Sequence, residues 1–82
     1  MKIDVAQDSK DQTFTLTIKT AQFKTLKDYE TLHNLINAIA LDFDLDPEIS
    51  ADDLKNIVAE AKKEESTEIT CDIGKDGIDV EF

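Results

Sequence analysis

Arginine is absent from this sequence of 82 residues, and cysteine, proline and glycine are scarce. The single cysteine, Cys71, has no partner within the chain, which excludes an internal disulfide framework and fits a reducing compartment. Two glycines and one proline are too few for a collagen-like or flexible low-complexity chain. No apolar run approaches the ~20 residues of a membrane span, and the first residues lack the apolar stretch of a signal peptide. We therefore expect a cytoplasmic protein in which residues 1–82 form a single domain.

Nine lysines stand against 19 acidic residues, so the formal net charge is −10. Proteins that bind nucleic acids neutralise phosphates with lysine and arginine, so we expect no direct binding to nucleic acid and none to an anionic membrane. The whole excess lies in the second half: residues 1–41 hold five lysines and five acids, whereas residues 42–82 hold four lysines and fourteen acids. This asymmetry favours a charged partner surface, and solubility alone is the competing explanation.

Four segments alternate apolar and polar residues, which is the pattern of strands with one buried face. Two of them cover residues 2–6 and 13–19, and the other two lie within residues 67–82. A polar stretch separates the first two, and the turn sequence at 74–77 separates the last two. Each pair is therefore predicted to form a hairpin.

Two helices are predicted between the hairpins, over residues 26–41 and from about residue 50 to residue 64. Each begins with a capping-box pair, Thr25 with Asp28 and Ser50 with Asp53. Pro47 cannot lie inside a helix and separates the two. The resulting order, ββααββ, predicts an α+β fold with a four-stranded antiparallel sheet and two helices packed on one face. The other face of the sheet would be open to water.

No group of residues carries a catalytic signature, and we expect neither enzyme activity nor a cofactor. His33 lies at the edge of a helical apolar face without a local partner for acid–base chemistry. Cys71 is predicted to face inward within an acidic stretch, whereas reactive thiols need an accessible, electropositive site. The chain also lacks a glycine-rich phosphate loop and the spacing of zinc ligands.

The acidic connection between the helices is the one stretch with metal-like spacing. Asp42, Asp44, Asp46 and Asp53 match the acidic positions of a calcium-binding EF-hand loop. Pro47 replaces the glycine that such a loop needs for its sharp turn, and Asp53 is shorter than the usual bidentate glutamate. We therefore predict no specific metal site here.

The acids of the last hairpin are predicted to share the open face of the sheet. Residues two apart on a strand face lie ~6.6 Å from each other, a spacing comparable to that of backbone phosphates. Lys75, at the turn, is the only lysine expected nearby. Together with the acidic connection, this hairpin gives the residues expected to contact a partner: Asp42, Asp44, Asp46, Glu48, Asp52, Glu68, Asp72, Asp79 and Glu81.

These features predict a small acidic, non-catalytic protein-binding module. Its partner would be a basic protein surface, for example that of a nucleic-acid-binding enzyme, which the module would inhibit by mimicking nucleic acid as some phage and plasmid inhibitors do. The alternative is a homo-oligomeric structural or accessory protein of bacterial or phage origin, such as a homodimer in which residues 14–18 continue the sheet between subunits. Salt separates the two, because charge-steered contacts weaken as salt rises and apolar contacts do not.

Overall fold

A computed structural model describes residues 1–46 and 49–82 of the chain. The elements are β1 (Asp4–Gln7), β2 (Phe14–Lys19), a 3-10 helix (Thr20–Gln22), α1 (Leu26–Asp42), α2 (Ala51–Lys63), β3 (Glu68–Gly74) and β4 (Gly77–Glu81). The predicted α+β order ββααββ is confirmed, and the 3-10 helix is an addition to it. Pro47, the predicted helix breaker, and Glu48, one of the predicted partner contacts, lie outside the described residues.

The four strands form one antiparallel sheet in the order β1-β2-β3-β4. Strand β2 therefore lies inside the sheet, paired with β1 on one side and with β3 on the other. The expectation that residues 14–18 continue the sheet into a second subunit is wrong, because both edges of β2 are already occupied. The edges of the sheet are β1 and β4.

Both helices cover the same face of the sheet, and the core lies between the two layers. The strands contribute alternate residues to it, and the helices contribute residues at helical spacing. The largest fully buried members are Leu16, Ile18, Leu32, Ile36, Leu54, Val58, Ile69, Cys71 and Ile73. The period-two and helical patterns in the sequence arise because each element has one face in this core.

Three apolar residues that the patterns place on buried faces are instead exposed, among them Phe82, which is 46% exposed. Val5, which lies opposite Leu16, is 51% exposed because β1 is an edge strand with little helix above it. Leu26, in the first turn of α1, is 56% exposed. Periodicity thus identified the inward face correctly but not how far the helix layer extends over it.

Both predicted capping boxes are present at the helix starts. The Asp28 carboxylate accepts the backbone N–H groups of Lys24 and Thr25, both at 2.8 Å. At α2, the Ser50 N–H donates to Asp53 at 2.9 Å and the Asp53 N–H donates to Ser50 Oγ at 3.2 Å. Neither described helix combines the length and the apolarity needed to cross a membrane.

The two helices also end alike, each with an acidic residue in the left-handed conformation. Asp44 has φ 56° and Glu65 has φ 59°. Beyond them, the Leu45 N–H donates to the Ala40 carbonyl at 3.0 Å, as the residue after Glu65 does to the carbonyl five positions before it at 2.8 Å. These are Schellman-type ends. In α1 the motif turns Phe43 and Leu45 toward the core and leaves Asp44 in solvent.

Candidate partner-binding surface

The register of β3 and β4 brings three of the predicted contact residues together on the open face. Asp72 lies directly opposite Asp79, and Glu81 follows two residues along β4, opposite Thr70. Asp79 and Glu81 are exposed on the edge strand, whereas Asp72 is half-buried. We call Asp72, Asp79 and Glu81 the acidic corner. It forms part of the open-face patch that the alternation pattern predicts.

The carboxylate of Asp72 is held in place from the neighbouring strand. Thr15 lies opposite Asp72 across the β2–β3 pair, and its Oγ1 donates a hydrogen bond to Asp72 Oδ1 at 2.7 Å. A hydrogen bond to a charged acceptor is shorter and stronger than one between neutral groups. This hydrogen bond therefore fixes the orientation of the Asp72 carboxylate.

Glu68, at the far end of β3, differs from the rest of the predicted patch. Its Oε2 lies 2.7 Å from Lys19 Nζ, on the strand opposite. The hydrogen bond and charge of Glu68, and more weakly the charge of Asp4, raise the pKa of Lys19. The expectation that Lys75 is the only lysine near the patch is therefore wrong. No local pattern shows that β2, which carries Lys19, pairs with β3. The charge of Glu68 is thus paired with that of Lys19.

Beside the acidic corner, a depression of about 370 Å³ gathers further acids. It adds Asp11 and Asp76 to Asp72 and Asp79, and Lys75 also lines it. The two hairpin turns meet here because the β2–β3 register places them at the same end of the sheet. Sequence reasoning missed Asp11, which belongs to the half of the chain with no net charge.

The turns approach so closely because Gly74 has no side chain. A Cβ atom at this position would lie 2.8 Å from Thr13 Oγ1. Within residues 1–46 and 49–82, no three histidine, cysteine or acidic side chains are grouped closely enough to hold a metal ion.

The acids of the inter-helix connection lie away from the acidic corner. Asp42 ends α1, Asp52 lies in the first turn of α2, and Asp44 and Asp46 lie between the helices, all four exposed. They belong to the helix side of the molecule, whereas the acidic corner is on the open face of the sheet. Apart from Glu68 and the undescribed Glu48, the predicted contact residues thus form two groups on different faces.

An apolar groove runs between these two groups, along β4. Its described lining includes Leu45, Ile49, Ile57, Ile78 and Val80, and its volume is about 630 Å³. Asp46, Asp53 and Asn56 also line it. No sequence pattern indicates this groove, because its apolar residues have the spacing of core residues.

His33 and Cys71 are the side chains best suited to catalytic chemistry, but here their contacts are those of structural residues. His33 Nε2 lies 3.1 Å from the Ile49 carbonyl oxygen, a contact that ties α1 to the segment before α2. Burial, followed by the charges of Asp72 and Asp79, raises the pKa of the Cys71 thiol to about 12. The thiol is therefore protonated at neutral pH, which removes the thiolate that a cysteine nucleophile requires.

An antiparallel four-stranded sheet with two helices on one face places the chain in the α+β class. Comparisons with protein-family models, curated proteins and solved structures found no match.

Proposed function

We propose that the protein is a non-catalytic binding module that docks its acidic corner on a basic surface of another protein. The observation that supports this most directly is the opposition of Asp72 and Asp79 across β3 and β4. Like charges directly opposite each other destabilise a sheet. The hydrogen bond from Thr15 nevertheless fixes Asp72 in that position. An arrangement that is unfavourable for the isolated fold becomes favourable when a cation lies over both carboxylates.

The charge of the chain selects the chemistry of the partner. With a net charge of −10, the protein repels nucleic acid and attracts surfaces rich in lysine and arginine. The depression beside the acidic corner enlarges the anionic surface with Asp11 and Asp76, and its four aspartates outnumber the one lysine, Lys75, that also lines it. Surfaces that bind phosphate backbones are basic in this way, so a nucleic-acid-binding enzyme is the partner class we propose. Occupation of its basic groove by this module would exclude the nucleic acid.

The proposal is tested by removing the charges of the acidic corner. The variant Asp72→Asn, Asp79→Asn, Glu81→Gln is compared with Glu30→Gln, Glu60→Gln, Glu64→Gln. The control removes three exposed carboxylates from the helix layer. Both variants are used only after circular dichroism and urea unfolding show that they are folded.

The measurement is capture from a bacterial lysate at low salt, followed by release at about 1 M NaCl, where the Debye length is only about 3 Å. We expect wild type and control to retain the same basic protein, and duplex DNA to displace it. The acidic-corner variant should bind it at least ~10-fold more slowly, because several charges together steer association. Equal capture by the two variants, or no competition by DNA, contradicts the proposal.

A further inference from the structure

The groove along β4 exists because the helix layer ends between β3 and β4. On β3, Ile73 is 0% and Cys71 is 1% exposed. Their cross-strand partners on the same face, Ile78 and Val80, are only half-buried. Helix α2 contributes Ile57 to the groove, which is also half-buried. The core thus continues past α2 onto an apolar strip that the described part of the chain leaves partly open.

Strand β4 is also an edge of the sheet, so its outer side can pair with an added strand. Its two faces differ in chemistry. Ile78 and Val80 face the groove, while Asp79 and Glu81 face the open side. A strand added beside β4 would direct alternate side chains to these two faces, because side chains alternate along a strand.

The charges around β4 decide what kind of segment fits there. The groove is bordered by Asp46 and Asp53, and no lysine is among its described lining residues. The opposite face offers the acidic corner. A second copy of this chain does not complement this surface, because pairing β4 with β4 brings the same carboxylates together, between subunits that each carry a net charge of −10. A segment with apolar residues on one face and lysine or arginine on the other complements both faces.

We propose that β4 accepts an extended segment of the partner protein in which apolar and basic residues alternate. The segment adds to the sheet as a fifth strand, with its apolar side chains in the groove and its basic side chains over Asp79 and Glu81. This inference rests on the proposed function and names the part of the basic partner that is recognised.

The test uses two synthetic peptides of about six residues, near the typical length of a strand. One alternates lysine and valine, and the other has the same composition with its lysines and valines in separate blocks. Binding is measured by fluorescence anisotropy, and protection of the β4 amides by hydrogen exchange.

The groove variant is Ile57→Gln with Val80→Thr, which makes two half-buried groove positions polar while keeping a helix former and a β-branched residue. Its control is Leu26→Gln with Val5→Thr, which introduces the same two polar residues at exposed apolar positions on α1 and β1. Hydrogen exchange on the wild-type protein does not depend on how well either variant folds.

We expect the alternating peptide to bind wild type and control equally, and to bind at least ~10-fold more tightly than the block peptide. It should protect the β4 amides and lose at least ~10-fold in affinity for the groove variant.

The strand-addition inference is overturned if both peptides bind equally, or if the groove variant binds the alternating peptide as tightly as wild type does. If the acidic-corner variant then still loses lysate capture, the proposed function stands without it. If the acidic-corner variant captures the partner from the lysate as well as wild type does, both the proposed function and the strand-addition inference are wrong. A wild-type dimer with β4 amides already protected identifies a second copy as the occupant and also overturns the inference.

Discussion

Asp72 and Asp79 face each other directly across β3 and β4, while Thr15 donates a hydrogen bond to Asp72 from the other side. The acidic corner therefore combines a repulsive pair with a contact that holds one member of the pair in place. Stability and binding should respond in opposite directions when this pair is changed.

We expect Asp79→Lys to stabilise the fold. It replaces repulsion with an opposite-charge cross-strand pair, which is worth roughly 0.2–1 kcal/mol. Urea unfolding at low salt measures the gain, which should shrink at about 1 M NaCl. The control is Glu81→Lys, which faces Thr70 and should gain less. Asp79→Lys should also lose the basic partner. A variant that is destabilised at low salt would show that the two carboxylates do not repel each other appreciably.

Glu65→Gly should raise the free energy of unfolding by about 1 kcal/mol. Glu65 has φ 59°, a conformation that glycine adopts without steric cost. The change also removes a negative charge from the end of a helix, where the helix dipole disfavours it. Glu64→Gly is the matched control, because it removes the same charge at the same helix end but at φ −88°, where glycine offers no conformational gain. Chemical denaturation compares the two, and equal effects would contradict the role of the left-handed conformation.

Cys71 should resist thiol reagents in the folded protein at pH 8. Its pKa is raised from 9.0 to about 12 by burial, so the unfolded chain ionises first as pH rises. The contribution of this thiol to the free energy of unfolding is fully present below pH 9.0 and is lost between pH 9.0 and about 12. The free energy of unfolding falls over that range by up to about 1.4 kcal/mol per pH unit. Labelling rates with and without urea test the first statement. Unfolding of wild type against Cys71→Ala tests the second, since the variant lacks this dependence.

Asp28→Asn and Asp53→Asn should destabilise the protein at neutral pH and have little effect in strong acid. Backbone N–H groups at the two helix starts lower the pKa of both carboxyls below 3.8. Their stabilising contribution is therefore present above the unfolded pKa and is lost as pH falls through the folded one. Melting temperatures across pH 7 to about 2 measure this convergence. Asp11→Asn, in a turn, is the control, and equal pH dependence there would contradict the capping explanation.

Local patterns were sufficient to find the helices, the strands and the two hairpins. Capping boxes and turns are formed by residues close in sequence, so Thr25, Asp28, Ser50 and Asp53 could be assigned without knowing the fold. Strand β1 was predicted at 2–6 and lies at Asp4–Gln7, because pairing with β2 rather than apolar alternation sets its limits.

The order of the strands could not be predicted, and the errors follow from that. The β2–β3 pair joins residues that no local pattern relates, so β2 was taken for an available edge and the contact between Lys19 and Glu68 was missed. For the same reason the groove could not be predicted, because Ile78 and Val80 have the pattern of core residues unless β4 is known to be an edge strand. Of the predicted contact residues, the acidic corner alone followed from alternation within one hairpin.

The central strand pair also has a consequence for how the chain is made. Thr15 and Asp72, which meet across it, are 57 positions apart in sequence. During synthesis, β1 and β2 are made before β3 exists. Until then β2 is an edge strand with Leu16 and Ile18 uncovered, the kind of surface on which nascent chains aggregate. Once β3 pairs with β2, this edge is covered, and the folded protein no longer exposes it.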